Sequence, residues 1–158
     1  PVFKYGYDRF FARCASAGIS GIIVPDMPLE EKGEVADIAA KHGVDVISLI
    51  APTSKERIAK IAKSATGYIY IVSSMGVTGM RSEIKTDLES IVRVVKENTS
   101  VPAAIGFGIN TPEQAKKYAG IADGVIVGSA IVKIIEKYGE NAAEPVYNYV
   151  KEMADAVK

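Results

Sequence analysis

The sequence has little of what most catalytic and metal centres use. It holds one cysteine, Cys14, in 158 residues, which excludes an internal disulfide and fits a reducing compartment. With no CxxC partner, Cys14 reads as a buried structural thiol. The single histidine, His42, stands just before Gly43 at a helix end and reads as a surface charge complementing the helix dipole. No cluster of His, Cys and acids has metal-ligand spacing, and there is no Ser/His/Asp set and no P-loop. Lysine plus arginine and aspartate plus glutamate number 19 each, so no excess charge draws the chain to nucleic acid or to an anionic membrane. No stretch reaches the roughly 20 apolar residues of a membrane span. No signal-peptide pattern opens the sequence, and a cytoplasmic chain is expected.

What is present is enough apolar residue, 48%, for the core of one domain spanning 1–158. Five short runs read as buried parallel strands: Gly21–Val24, Val44–Ile50, Tyr68–Ser73, Ala103–Gly106 and Gly124–Val127. They are nearly continuous in Ile, Val, Ala and Leu, the pattern of strands covered on both faces. Helical stretches separate them. Thr53-Ser54-Lys55-Glu56 and Thr86-Asp87-Leu88-Glu89 read as capping boxes, and Thr111-Pro112-Glu113-Gln114 places proline at the first helical position. Gly18, Gly43, Gly120 and Gly139 follow helix ends. A helix from Asp8 to Ala17 opens the repeat and a long helical region, Ile131 to Lys158, closes it. Pro1-Val2-Phe3-Lys4-Tyr5-Gly6 reads as the middle of a loop, so the native start is expected upstream.

Strict βα alternation implies a parallel sheet with right-handed crossovers. Length fits an open doubly wound sheet, whereas a complete eight-stranded barrel takes about 250 residues. The glycines favour the barrel. The turn after the first strand, Pro25-Asp26-Met27-Pro28, contains prolines, which offer no N–H to a phosphate. The turns after the last two strands, Gly106-Phe107-Gly108-Ile109 and Gly128-Ser129-Ala130-Ile131-Val132, are rich in free N–H groups. A barrel carries its phosphate site there. Gly128 would admit a ligand close to the backbone, and Ser129 would either cap the following helix or donate to an anion. Gly106 and Gly108 serve the same cradle or close packing in the wall, and Phe107 covers an aromatic ligand or fills the barrel mouth.

The run 73–82, with Gly76, Thr78 and Gly79, reads as a lid or a plain surface loop. Asp26 ends the first strand, where a carboxylate faces the active-site end of a parallel sheet; it reads as catalytic or, given its flanking prolines, as a hydrogen-bonded structural aspartate in a rigid turn. Tyr68 and Tyr70 alternate along the middle strand, as core filler or a pocket hydroxyl. No general acid/base pair is evident beside them.

Together these motifs, with Val24-Pro25-Asp26-Met27-Pro28, Leu49-Ile50-Ala51-Pro52-Thr53-Ser54 and Tyr68-Ile69-Tyr70-Ile71-Val72-Ser73, resemble the tryptophan synthase alpha subunit along the whole chain. The resemblance implies a (β/α)8 barrel lyase that cleaves indole-3-glycerol phosphate to indole and glyceraldehyde 3-phosphate. It implies no cofactor of its own, with pyridoxal phosphate confined to a beta-subunit partner that receives the indole. Carried over by position, Gly79, Gly108, Gly128 and Ser129 would hold the phosphate. Ile23, Phe107 and Ile126 would line the indole pocket, and Tyr70 would stand beside the reacting centre. Gly76 and Thr78 would belong to the lid.

The family's two essential carboxylates would lie upstream of Pro1, so residues 1–158 would be strands four to eight of an incomplete barrel, without the first three, and inactive alone. The exposed edges of such a barrel would favour a homo-oligomer. Phe3 and Pro28 are candidates for the rim that meets the beta subunit. The alternatives are another phosphate-binding barrel enzyme, or a non-catalytic flavodoxin-like module. Strand order 2-1-3-4-5 would mark the flavodoxin-like module and sequential order the barrel.

Overall fold

A computed structural model describes residues 1–73 and 87–158. The lid positions Gly76 and Thr78, and the phosphate candidate Gly79, lie outside the described residues. Five parallel strands, β1 (Gly21–Ile23), β2 (Asp45–Ile50), β3 (Ile69–Val72), β4 (Ala103–Gly106) and β5 (Gly124–Val125), pair in the order β1-β2-β3-β4-β5. The sequential order is that of a barrel wall and not of the flavodoxin-like sheet. The chain is thus a partial (β/α)8 barrel.

The expectation of strands buried on both faces is half met. Register aligns Ile23 with Ile47, Leu49 with Tyr70, Tyr70 with Ala104, and Ala104 with Gly124. Side chains alternate along each strand, so these residues share the inner face. Ile22, Val46, Ile50, Ile69, Ile71, Ala103 and Ile105 point outward beneath the helices, where Ile50, Ile69, Ile71 and Ile105 are wholly buried. The inner face is more open: Ile23 is 42% exposed, and Leu49, Tyr70 and Ala104 are half-buried. Helices cover the outer face, whereas on the inner face only some side chains, Ile47 among them, are buried.

The helices supply the other half of the outer core because their apolar residues recur at helical spacing. In α5 (Leu88–Asn98), Leu88, Ile91, Val92 and Val95 fall at i, i+3, i+4 and i+7 and all are buried. They join Ile58, Ile61 and Ala62 of α4 (Lys55–Lys63), Ala115 and Tyr118 of α6 (Pro112–Ala119) and Met153 of α8 (Ala143–Ala156) in one cluster over β2 to β5. A second, smaller cluster lies over β1. It joins Phe11 and Cys14 of α2 (Tyr7–Ser16), Val35 and Ala39 of α3 (Gly33–Lys41), Val44 and Val46. Cys14 is therefore the buried thiol expected of it. His42 donates from Nε2 to the Asp8 carboxylate at 2.9 Å, which ties the end of α3 to α2.

Several boundaries differ from the sequence reading. Residues Val2–Tyr5 form a short helix, α1, where a loop was expected. The caps of α4 and α5 are Ser54, accepting from the Arg57 N–H, and Asp87, accepting from the Ser90 N–H. Each lies one residue past the expected threonine, because neighbouring hydroxyl and carboxylate residues offer competing frames. The α6 start is a full capping box, Thr111 with Gln114, with Pro112 at the first position. Gly18, Gly43 and Gly139 have positive φ at their helix ends, but Gly120 remains right-handed. The closing helical region begins at Ser129 as α7 (Ser129–Tyr138) and is broken by a 3-10 turn, Gly139–Asn141, before α8. No helix among the described residues is long and apolar enough to cross a membrane.

Ile71→Ala empties a wholly buried site, and urea unfolding should show a loss of about 2–5 kcal/mol. Thr111→Ala removes one capping hydroxyl, and the same measurement should show about 1 kcal/mol.

Candidate functional site

The site candidates gather where β3, β4 and β5 end. β4 stops at Gly106 and the chain enters a left-handed stretch: Phe107 has φ 73° and Gly108 has φ 82°. Phe107 is the only non-glycine residue with positive φ among the described residues, a conformation that needs outside support. Two groups give it. The hydroxyl of Ser73, wholly buried at the exit of β3, donates to the Phe107 carbonyl. The Phe107 ring meets the Tyr70 ring edge to face, with centroids 5.9 Å apart, a favoured aromatic geometry.

Gly106 admits that tyrosine. A Cβ at position 106 would collide with the Tyr70 hydroxyl and ring, so the close-packing role expected of this glycine is met. Burial raises the Tyr70 pKa above the usual tyrosine value, the neighbouring Tyr68 adds to the rise, and the Phe107 backbone opposes it. The hydroxyl therefore stays protonated, and a hydrogen-bond donor, at neutral pH.

Beyond the turn, Asn110 donates from Nδ2 to the Gly108 carbonyl at 2.8 Å, and Tyr149 of α8 donates to the Asn110 carbonyl at 2.9 Å. The Gly108 N–H donates to none of the described residues. On the next strand Ile126 continues past β5, its N–H donating to the Ile105 carbonyl at 2.8 Å. The cap of α7 is Gly128, not Ser129, and no side chain caps this helix. Its first internal bond runs from the Val132 N–H to the Gly128 carbonyl. The N–H groups of Ser129, Ala130 and Ile131 thus remain at the positive end of the helix dipole. Adjacent strands lie about 5 Å apart, and the uncapped helix start and the Gly108 turn follow neighbouring strand ends.

Ile23 shares the inner face with Tyr70 but stands on β1, with β2 between. Asp26 differs from its reading: it is exposed and accepts a hydrogen bond from none of the described residues. The turn around it is closed by the backbone instead, Met27 N–H to Val24 carbonyl at 3.3 Å. Asp26 and Phe3 line one cavity of about 310 Å³, and Pro28 lines a neighbouring one of about 450 Å³ with Lys32 and Ser48. Among the described residues no group of acids, histidines and cysteine could hold a metal ion. Sequence reasoning missed Ser73, Asn110 and Tyr149. Only their polarity beside apolar runs hinted at them.

These features define a run of parallel βα units from a (β/α)8 barrel, with backbone N–H groups at the exits of β4 and β5 that bond to none of the described residues. A family model described as tryptophan synthase alpha chain matches residues 1–158, and the chain belongs to that family. It is 53% identical over 156 residues to the tryptophan synthase alpha chain of Lacticaseibacillus casei, covering 99% of this chain and 59% of that one. A mutant tryptophan synthase alpha-subunit from the hyperthermophile Pyrococcus furiosus superposes with TM-score 0.84 at 33% identity, over 98% of this chain and 63% of that one. The alpha chain from Legionella pneumophila does so with TM-score 0.83 at 35% identity, over 99% and 59%. The chain thus spans about three fifths of the length of the curated relatives it matches.

Gly106→Ala should destabilise the chain by about 1–3 kcal/mol, as overpacking does. Because the three atoms nearest that Cβ belong to Tyr70, the double variant Gly106→Ala, Tyr70→Ala should cost less than the two changes summed, in a double-mutant cycle of unfolding free energies.

Proposed function

We propose that this chain supplies the phosphate- and indole-binding part of a lyase of tryptophan biosynthesis, which cleaves indole-3-glycerol phosphate to indole and glyceraldehyde 3-phosphate. The observation that carries the reading is the pair of open N–H sets: Gly108 after β4, and the uncapped start of α7 after β5. Together they suit a phosphate, which needs several donors and no counter-charge. Gly128 leaves the helix start free of a side chain, and Ser129 adds a hydroxyl. Gly79 joins them by family position. Phe107 and Tyr70 offer an aromatic wall to the indole ring, with Ile23 and Ile126 as further apolar lining on the same face.

In this reading the neutral Tyr70 hydroxyl orients the substrate and does not move its protons. Cleaving the bond between indole and the glycerol chain needs a proton placed on one side and taken from the other. No pair of carboxylates stands beside Tyr70 and Phe107 among the described residues. The proton-transfer pair is assigned to sequence outside these 158 residues. The chain itself uses no cofactor. Pyridoxal phosphate belongs to the beta subunit, which docks on the rim where Phe3 is 78% exposed and Pro28 lies close by.

Two measurements test this. Indole-3-glycerol phosphate added to the isotopically labelled chain should shift the amide resonances of Gly108, Ser129 and Ala130, and Ser129→Asp should abolish the shifts by placing like charge on the phosphate. No indole should form. Shifts confined to other regions, or indole release by the pure 158-residue chain, would refute the respective halves of the reading.

The two edge strands bear on assembly. β1 and β5 each pair on one side only, and we infer that two copies associate through these edges. Light scattering should show mass rising with concentration; a constant monomer mass excludes it.

A further inference from the structure

Ser73 has no part in the lining of the proposed pocket, yet its hydroxyl grips the peptide that carries the Gly108 N–H, the donor assigned above to the β4 turn. A peptide unit is planar, and in the trans form its C=O and N–H point in opposite directions. The chain has no cis peptide among its described residues. Whatever grips the Phe107 carbonyl therefore aims the Gly108 N–H. That grip is the Ser73 hydroxyl, donated to the Phe107 oxygen. The backbone of Ser73 is itself fixed, since its N–H donates to the Gly106 carbonyl at 3.0 Å. The β3–β4 ladder thus ends in two consecutive bonds from one residue, the first through the main chain and the second through the side chain.

We propose that Ser73 is a positioning residue for anion binding: it holds the peptide plane between Phe107 and Gly108 so that the Gly108 N–H points away from the wall and is left open for a phosphate. The proposal rests on the phosphate reading given above. Three facts agree with it. Ser73 is wholly buried, one of only two buried polar residues among those described, the other being Ser48, so its hydroxyl has no water to satisfy it. Phe107 sits in a left-handed conformation that is unfavourable for a non-glycine residue and would relax if released. The next peptide plane is fixed independently, by Asn110 on the Gly108 carbonyl, so Ser73 acts on one amide and not on the whole loop. The hydroxyl bonds one carbonyl across 34 residues of sequence, and a purely space-filling residue there would need no oxygen.

The test uses the labelled 158-residue chain and inorganic phosphate at fixed pH and ionic strength. In the parent chain the amides of Gly108, Ser129 and Ala130 should all respond. In Ser73→Ala the response of Gly108 should be lost, the response of Ser129 and Ala130 should persist, and the affinity should fall about fivefold to tenfold, the worth of one hydrogen bond. Ser73→Cys keeps the shape with a weak donor and should fall between the two; it also serves if the alanine variant does not fold. A Gly108 response and an affinity equal to the parent's in both variants would overturn the role of Ser73 alone. Failure of the parent's amides to respond would instead overturn the phosphate reading, and this proposal with it.

Discussion

The left-handed turn after β4 is the constraint on which the rest depends. Two successive residues, Phe107 and Gly108, have positive φ, and only the second is a glycine. A phenylalanine there costs on the order of 1 kcal/mol or more. The cost is offset by the Ser73 bond to its carbonyl and by the ring contact with Tyr70. Tyr70 in turn can lie there only because Gly106 has no side chain. Four residues on two strands are thus mutually conditional. Removing the hydroxyl, the ring or the bare glycine frees the same peptide. The ladder between β3 and β4 runs straight into it through the Ser73 N–H and hydroxyl.

The two faces of the sheet divide the labour. Outward residues are sealed under helices and account for the stability of the wall. Inward residues are of mixed size, from Gly124 and Ala104 to Tyr70, and several are more open; in the proposed reading the ligand groups come from the strand ends. This is the general logic of parallel βα proteins, whose strand C-termini collect helix N-termini and flexible turns. In this chain the logic is carried by backbone N–H groups. A phosphate site of the kind proposed therefore needs neither histidine nor cysteine, and glycine placement is its sequence signature.

Much of this was legible in the residues. The five strands fall within the apolar runs, and the spacing of Leu88, Ile91, Val92 and Val95 marks a sheet-facing helix without further information. The two glycine turns read from the sequence fall at the exits of β4 and β5. What could not be read was of two kinds. Choice among adjacent caps, Thr53 against Ser54 or Thr86 against Asp87, depends on fractions of a helical turn that the S/T-x-x-E pattern does not resolve. Long-range bonds were also invisible. Ser73 reads as the polar end of a strand, and nothing local reveals that its oxygen meets a carbonyl 34 residues away. Tyr149 reads as one face of a closing helix, and its bond to Asn110 spans 39 residues. Asp26 was misjudged for the opposite reason: its flanking prolines suggested a side-chain-stitched turn, whereas the backbone closes it.

The separation of the core into two clusters bears on how the molecule opens. The smaller cluster, over β1, shares no buried residue with the larger one over β2 to β5. Such units can open with their own free energies, and here the smaller one joins α2 and α3 to the β1 side of β2 through Val44 and Val46, away from the Gly108 turn. The chain's single thiol lies inside that unit. Its reaction with an alkylating reagent therefore reports the breathing of one end of the sheet and is blind to the other.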